Sequence, residues 1–174
     1  MELDEFGFLV LCPGLNIGGL RTTISSIKVN FPRSHYICVI GDRARDSDLD
    51  EIDRICPVVK GRNSITSLIN IGMESAKAEW NCVASAGVMA KYPIYRKLIR
   101  FLESERDIFY PVVDKVNWRF ENSSLNGFCV HRDTFNDIGR FEEEDHSLEL
   151  CRLFWAATAV EKGYQFKGLV GLKF

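Results

Sequence analysis

The sequence predicts an α/β protein, a three-layer α/β/α sandwich with a mostly parallel mixed sheet, formed by a single domain over residues 1–174. Short apolar runs alternate along the chain with segments whose apolar residues recur at helical spacing, which is the pattern of βαβ units. The first two runs are almost entirely apolar, as central strands covered on both faces require. With 46% hydrophobic residues, the chain is long enough for one core and short for two.

Seven segments are predicted as strands. The two nearly continuous apolar runs are Gly7–Cys12 (GFLVLC) and Tyr36–Ile40 (YICVI). The other candidates, in chain order, are Cys56–Val59, Cys82–Ser85, Ile108–Val113, Gly127–His131 and Tyr164–Leu169.

Three helices are predicted from periodicity and end signals. The clearest spans Ser64 to Lys77, because apolar residues at 65, 68, 69, 72, 73 and 76 make one stripe and Ser64 is a suitable N-cap. A second begins after Pro93 and ends near Ser104. A third spans 144–162, with acidic residues in its first turn and a glycine after its end.

The charges are nearly balanced, with 22 basic and 24 acidic side chains, which argues against a nucleic-acid partner. The N-terminus is acidic where a secretory signal would be basic, and the apolar run that follows is too short to span a bilayer. We therefore expect a cytoplasmic protein without a membrane span. Cys12, Cys38, Cys82 and Cys129 each fall inside an apolar run of a predicted strand, and no CxxC pair is present, so we expect free, buried thiols.

Open α/β sheets bind ligands beyond the carboxyl ends of their strands, so residues at those ends are the candidate binding residues. The first strand is followed by Pro13-Gly14-Leu15-Asn16, and the second by a stretch that begins Gly41-Asp42 and ends with Asp46. Residues 62–80 (RNSITSLINIGMESAKAEW) and 81–88 (NCVASAGV) then form a helical segment and another apolar strand. Residues 126–153 contain a glycine-led strand, a further helix and an acidic cluster.

Together these four segments resemble glycosyltransferase family two, the large inverting GT-A family. Its members follow the first strand with proline and asparagine, and the second with Asp-Asp-Gly-Ser-x-Asp, of which Asp42 and Asp46 remain here. The helical segment matches the family at Asn70, Gly72, Ala76 and Glu79 without a gap. The resemblance implies that Asp42 accepts hydrogen bonds from the nucleotide base. Alternatively, Asp42 and Asp46 only cap a turn and a helix.

The same gapless match puts Ser85 and Gly87 where the family carries the Asp-x-Asp motif that holds a divalent cation. Neither side chain supplies a carboxylate, and hard cations prefer charged oxygen ligands. We therefore expect no metal and no other cofactor. Basic residues would then have to stabilise the diphosphate; the candidates are Arg21, Arg43, Lys60, Arg62 and Arg152.

The acidic cluster corresponds to the family's closing motif, in which the aspartate of a Glu-Asp pair is the catalytic base. The resemblance implies Asp145 for that role, with Glu144 as the substitute. Because the loop is shorter than in the family, any acid from Glu142 to Asp145 could take this place. The alternative is that the cluster only caps a helix. The implied nucleotide-sugar-binding residues are Pro13, Asn16, Asp42, Arg62, Asn70, Ser85 and Gly87.

The expected function is that of a metal-independent glycosyltransferase that binds a nucleotide-diphosphate sugar and an unknown acceptor. Trp118 and Phe120 lie in the segment before the glycine-led strand, which faces the acceptor in the family, and a partner or a second copy of the chain could complete the acceptor site. One alternative is a non-catalytic GT-A-like binding or assembly module. Another is a sugar nucleotidyltransferase. The glycine-rich loop of that class is faintly resembled by Gly18-Gly19-Leu20-Arg21-Thr22.

Overall fold

The computed structural model describes residues 6–89, 107–112, 127–143 and 147–170. Strands and helices alternate in the first half of the chain. In the described part of the second half, two strands are followed by two helices and a last strand. The described elements are β1 (Phe6–Cys12), α1 (Ile17–Asn30), β2 (His35–Gly41), α2 (Asp46–Asp53), β3 (Val58–Gly61), α3 (Ile65–Ser75), β4 (Trp80–Ser85), β5 (Asp107–Val112), β6 (Cys129–His131), α4 (Arg132–Ile138), α5 (Leu148–Glu161) and β7 (Gln165–Val170).

The described strands form one sheet in the order β3-β2-β1-β4-β6-β5-β7. β6 runs antiparallel to both of its neighbours, whereas the other pairs are parallel. The predicted mostly parallel mixed sheet is thus confirmed. Because β1 to β4 run in the same direction, the segments that follow them all emerge at one edge of the sheet, which we call the carboxyl edge.

Helices cover the sheet on both faces, as predicted. On one face, α1 and α2 pack against the even-numbered side chains of β1, which include Phe8 and Val10. On the other face, α3, α4 and α5 pack against Leu9 and Leu11. All seven residues of β1 are buried, which accounts for its unbroken apolar sequence.

The predicted helix at Ser64 is confirmed, because α3 begins at Ile65 and the Ser64 hydroxyl accepts a hydrogen bond from the amide of Ser67 at 3.2 Å. The predicted start of the last helix is wrong. α5 begins at Leu148, with Ser147 as its N-cap, since the Ser147 hydroxyl accepts from the amide of Leu150.

The remaining differences concern strand ends and segments outside the described residues. β3 begins at Val58 rather than Cys56. β6 begins at Cys129 rather than Gly127, which has a positive φ of 83° and whose amide donates to the carbonyl of Val83 in β4. The helix predicted after Pro93, together with Trp118 and Phe120, lies outside the described residues.

The expectation of free thiols is confirmed, since all six cysteines are buried and none is in a disulfide. Cys12, Cys38, Cys82 and Cys129 lie in strands, where they pack as small apolar side chains. Burial raises the pKa of the Cys129 thiol well above its usual value. Within the described ranges, no helix combines the length and the apolar character that a bilayer crossing requires.

One buried amide ties α3 to the segment that precedes α5. The carboxamide of Asn70, which is fully buried, donates to the carbonyl of Phe141 at 2.8 Å and accepts from the amide of Phe141 at 2.9 Å. The ring of Phe141 stacks on Trp155 with centroids 4.8 Å apart, and the Trp155 indole donates to the Gly139 carbonyl. Segment 139–143 is therefore held from two helices.

We expect Asn70→Ala to lower the free energy of unfolding by about 2–4 kcal/mol, because it leaves the buried amide and carbonyl of Phe141 without partners. Urea denaturation followed by circular dichroism measures the change. Asn136→Ala, at an exposed position of α4, is the control and should shift stability by less than about 0.5 kcal/mol. Equal losses of stability in the two variants would show that the hydrogen bonds between Asn70 and Phe141 do not stabilise the fold.

The close packing of α3 on the sheet gives a second prediction. A Cβ atom at Gly72 would lie 3.0 Å from Cγ2 of Val39 and 3.2 Å from Cδ1 of Leu9. Gly72→Val should therefore overpack this contact and cost about 1–3 kcal/mol of stability in the same assay. Gly14→Val, where no atom lies within 4 Å, is the matched control. A Gly72→Val variant as stable as the Gly14→Val control would contradict the close packing of α3 on the sheet at this position.

Candidate functional site

An open cleft of about 640 Å³ lies at the carboxyl edge, between the ends of β2 and β3 and segment 139–143. Its lining combines three basic side chains with two carboxylates. The lining residues are Asp42, Lys60, Gly61, Arg62, Ser67, Ile71, Arg140 and Glu143. Two of the predicted site residues, Asp42 and Arg62, are thus brought together across this cleft.

The three basic side chains of the cleft differ in what they already bind. The ammonium of Lys60 donates to the carbonyl of Ala44 at 2.8 Å and so secures the loop that carries Asp42. Arg140 forms an ion pair with Glu74. The guanidinium of Arg62 makes no hydrogen bond or ion pair with any described residue, so it is the cleft cation most available to an anion.

The carboxylate of Asp42 is exposed and has no hydrogen-bond partner among residues 6–89 or the later described ranges. The preceding Gly41, where the family has its first aspartate, lies beneath Asn63. A Cβ atom at Gly41 would collide with the carboxamide of Asn63 as it is placed here. Because that carboxamide ends an exposed side chain that can move, Asn63 does not by itself require glycine at residue 41.

Glu143 forms the opposite wall of the cleft. Its Oε1 accepts a hydrogen bond of 2.8 Å from Nδ2 of Asn70, the same amide group that donates to Phe141. Asn70 is thus buried below the cleft, where it positions Glu143; a direct contact of Asn70 with a ligand stays a prediction. The acid pair Glu144 and Asp145, predicted as catalytic, lies outside the described residues.

Glu143 fits the Gly-x-Phe-acid-Glu pattern that starts at Gly139, but it was not among the predicted site residues. That pattern does not reveal the hydrogen bond to Asn70, because the two residues are 73 positions apart in the chain.

The segment predicted to correspond to the Asp-x-Asp motif is a tight turn of residues 85–88. The amide of Val88 donates to the carbonyl of Ser85 at 3.1 Å, and Gly87, at the third position, has a φ of 102°. This positive φ is the conformation that a type II turn requires at that position and that glycine adopts without strain.

The Thr23 side chain of α1 secures this turn. Its hydroxyl accepts from the amide of Gly87 at 3.0 Å and donates to the carbonyl of Val88 at 2.7 Å. The amide of Ala86 donates to the carbonyl of Leu11 at 2.8 Å. The amides of residues 86, 87 and 88 are therefore all used within the protein, and this turn has no backbone donor left for a phosphate.

The donor set of this turn does not fit a divalent cation. Gly87 offers no side chain, its φ strains any L-residue, and Ser85 supplies at most a neutral hydroxyl. In the part of the chain that the structure describes, no three His, Cys, Asp or Glu side chains come together as a metal-binding group.

The loop after β1 lies against this turn. The side chain of Asn16 accepts from the amide of Gly19 at 2.9 Å and caps α1, and a Cβ atom at Gly19 would lie 2.9 Å from the amide nitrogen of Gly87. Pro13 is exposed at the end of β1. The structure thus groups Pro13 and Asn16 with Ser85 and Gly87, beside the cleft that holds Asp42 and Arg62.

Two of the basic residues suggested for the diphosphate, Arg21 and Arg152, do not line the cleft. Arg21 pairs with Glu51 of α2 at 3.6 Å, and Arg152 is only 6% exposed. The described glycines of the predicted nucleotidyltransferase loop, Gly18 and Gly19, lie in the first turn of α1 instead of in the loop.

No family model and no curated protein matches this sequence. Several solved structures are nevertheless similar. The mannosyltransferase PcManGT from Pyrobaculum calidifontis, in complex with GDP-Man and Mn²⁺, has a TM-score of 0.74 at 12% identity over 97% of this chain and 55% of that chain. S. aureus TarS 1–349 in complex with UDP has a TM-score of 0.62 at 15% identity, over 95% of this chain and 60% of the other.

A nucleotidyl transferase from Methanothermobacter has a TM-score of 0.66 at 14% identity, over 98% of this chain and 88% of that chain. This chain therefore spans little more than half of the mannosyltransferase and of TarS 1–349 but nearly all of the nucleotidyl transferase. At these identities the similarity concerns the fold. The chain has a GT-A-like α/β fold with a mostly parallel mixed sheet.

Proposed function

We propose that this chain binds a nucleotide-diphosphate sugar along the carboxyl edge of its sheet and transfers the sugar to an acceptor hydroxyl without a metal ion. The observation that carries the proposal is the cleft in which Asp42 and Arg62, both without side-chain partners among the described residues, face the fixed carboxylate of Glu143. Similar folds that were solved with UDP and with GDP-Man support it.

Each side of the cleft suits a different part of such a ligand. Asp42 can accept hydrogen bonds from the N–H groups of a uracil or guanine edge. Arg62 can bind a diphosphate through two parallel N–H donors, and Lys60 adds a second positive charge nearby. Glu143 can accept from sugar or ribose hydroxyls, since Asn70 already fixes one of its oxygens.

The transfer step needs a base and a stabilised leaving group. We assign Asp145 as the base, with Glu144 as its substitute, on the resemblance of residues 126–153 to the closing motif of the family. The base removes the proton of the acceptor hydroxyl as its oxygen attacks the anomeric carbon. The bond from that carbon to the diphosphate oxygen breaks, and Arg62 stabilises the negative charge on the departing nucleoside diphosphate.

Metal independence follows in this proposal from the donor set of the 85–88 turn. Isothermal titration with UDP- and GDP-sugars should give the same Kd, within about twofold, in Mn²⁺ and in EDTA. Tight binding that requires Mn²⁺ would contradict it. If no nucleotide sugar of the panel binds under either condition, the whole proposed function fails.

Arg62→Ala should weaken binding of the nucleoside diphosphate about tenfold or more, because a charge-assisted hydrogen bond contributes about 1.5–3 kcal/mol. Arg54→Ala removes the same charge from an exposed position after α2 and is the matched control, with an unchanged Kd. A similar loss in both variants would mean that only net charge matters. No loss in the Arg62 variant would remove Arg62 from the site.

Asp145→Asn and Glu143→Gln should have different kinetic effects. The Asp145 variant should lower the transfer rate by about 100-fold or more with little change in donor Kd, since a general base contributes that much. The Glu143 variant should mainly raise the donor Kd, since it loses an acceptor in the cleft. A coupled assay of nucleoside diphosphate release gives the transfer rate of each variant, and isothermal titration gives its donor Kd. The reverse pattern would make Glu143 the base.

A sugar nucleotidyltransferase is the second candidate, because the chain matches a nucleotidyl transferase over nearly its full length. Against it, Gly18 and Gly19 lie within α1 and cannot form a loop around a triphosphate. Pyrophosphate release from a nucleoside triphosphate and a sugar 1-phosphate tests this candidate. A nucleotide sugar that binds without any turnover would instead support a non-catalytic binding module.

A further inference from the structure

Asp42, at the β2 end of the carboxyl-edge cleft, is a hydrogen-bond acceptor without a donor. Its exposed carboxylate makes no hydrogen bond or ion pair with any described residue. β2 and β3 run parallel with Gly41 beside Gly61, so the residues that follow, Asp42 and Arg62, leave the sheet side by side. A carboxylate only accepts hydrogen bonds, and it has two oxygens with which to do so. A ligand group that fits Asp42 therefore presents donors.

The carboxamide of Asn63 lies next to this acid. Asn63 follows Arg62 in the chain, and its side chain lies over Gly41, the residue directly before Asp42. Of its two polar side-chain atoms, Oδ1 is the one nearer to Gly41, so Nδ2 is the outer one. Asn63 is exposed, and its Nδ2 donates to no residue that the structure describes. The end of β2 thus offers two acceptors from Asp42 and one donor from Asn63.

The nucleobases differ in what they offer to such a set of groups. The Watson–Crick edge of guanine presents two adjacent donors, N1–H and N2–H, followed by the acceptor O6. These two donors form the same kind of fork with which arginine binds a carboxylate. Uracil presents one donor between two carbonyl oxygens, and adenine and cytosine each present one donor beside a ring-nitrogen acceptor. A carboxylate that pairs with any of these three edges makes one hydrogen bond, and its second oxygen faces an acceptor or water.

We propose that the site selects guanine among the nucleobases, so that its ligand is a guanosine-diphosphate sugar. Asp42 accepts from N1–H and N2–H of the base, and Nδ2 of Asn63 donates to O6. The diphosphate extends from the base toward Arg62 and Lys60, which line the same cleft. This inference rests on the proposed function, because it concerns the base of the nucleotide that the cleft binds.

Guanosine diphosphate (GDP) and inosine diphosphate (IDP) are a matched pair of probes, because inosine lacks only the 2-amino group. In isothermal titration, in Mn²⁺ and in EDTA, GDP should bind about tenfold more tightly than IDP, which loses one charge-assisted hydrogen bond. UDP should also bind more weakly than GDP. Equal affinity for GDP and IDP, or UDP binding as tight as that of GDP, would overturn the selection of guanine and leave the proposed function standing. If none of the three binds under either condition, the proposed function itself fails.

Two substitutions test the two contacts separately. Asp42→Asn replaces one acceptor with a donor and should bring the affinities for GDP and IDP within about twofold of each other. Asp50→Asn, which removes the same charge from an exposed position of α2, is the matched control and should keep the preference for GDP. Asn63→Ala should weaken GDP and IDP equally, by about fivefold, because both carry O6. A GDP preference that survives Asp42→Asn, or a GDP affinity unchanged by Asn63→Ala, would contradict the assigned contacts.

Discussion

The candidate site depends on the hydrogen bonds that the carboxamide of Asn70 makes with Phe141 and Glu143. This carboxamide satisfies both backbone groups of Phe141 and one oxygen of Glu143, so a single buried side chain joins α3 to the segment that forms the far wall of the cleft. Stacking of Phe141 on Trp155 extends this connection to α5. Without the amide, the buried backbone of Phe141 would be unsatisfied and Glu143 would have no fixed position.

A second constraint acts at the turn of residues 85–88. Thr23 binds this turn from α1, and the positive φ of Gly87 makes glycine the favoured residue there. The turn is therefore a hydrogen-bonded structure in its own right and does not depend on a cation to hold it. In the proposed function, Arg62 and Lys60 at the end of β3 supply the positive charge that a metal ion would otherwise provide to the diphosphate.

Local patterns predicted the parts of the fold that local physics determines. The apolar stripe and the Ser64 cap identified α3, and the unbroken apolar runs identified β1 and β2, because burial on both faces leaves a clear signature. The start of α5 was missed, since acidic residues before Ser147 resembled a first helical turn. The roles of Asn70 and Glu143 could not be predicted, because they depend on contacts between residues more than 70 positions apart.

The most direct test of the account is a crystal structure of the protein with a UDP- or GDP-sugar and Mn²⁺, with anomalous data collected to locate manganese. The proposed function predicts a nucleotide in the cleft between Asp42 and Arg62, and no anomalous peak beside Ser85. A manganese ion that bridges the diphosphate and the 85–88 turn would contradict the central claim. So would a nucleotide bound elsewhere on the surface.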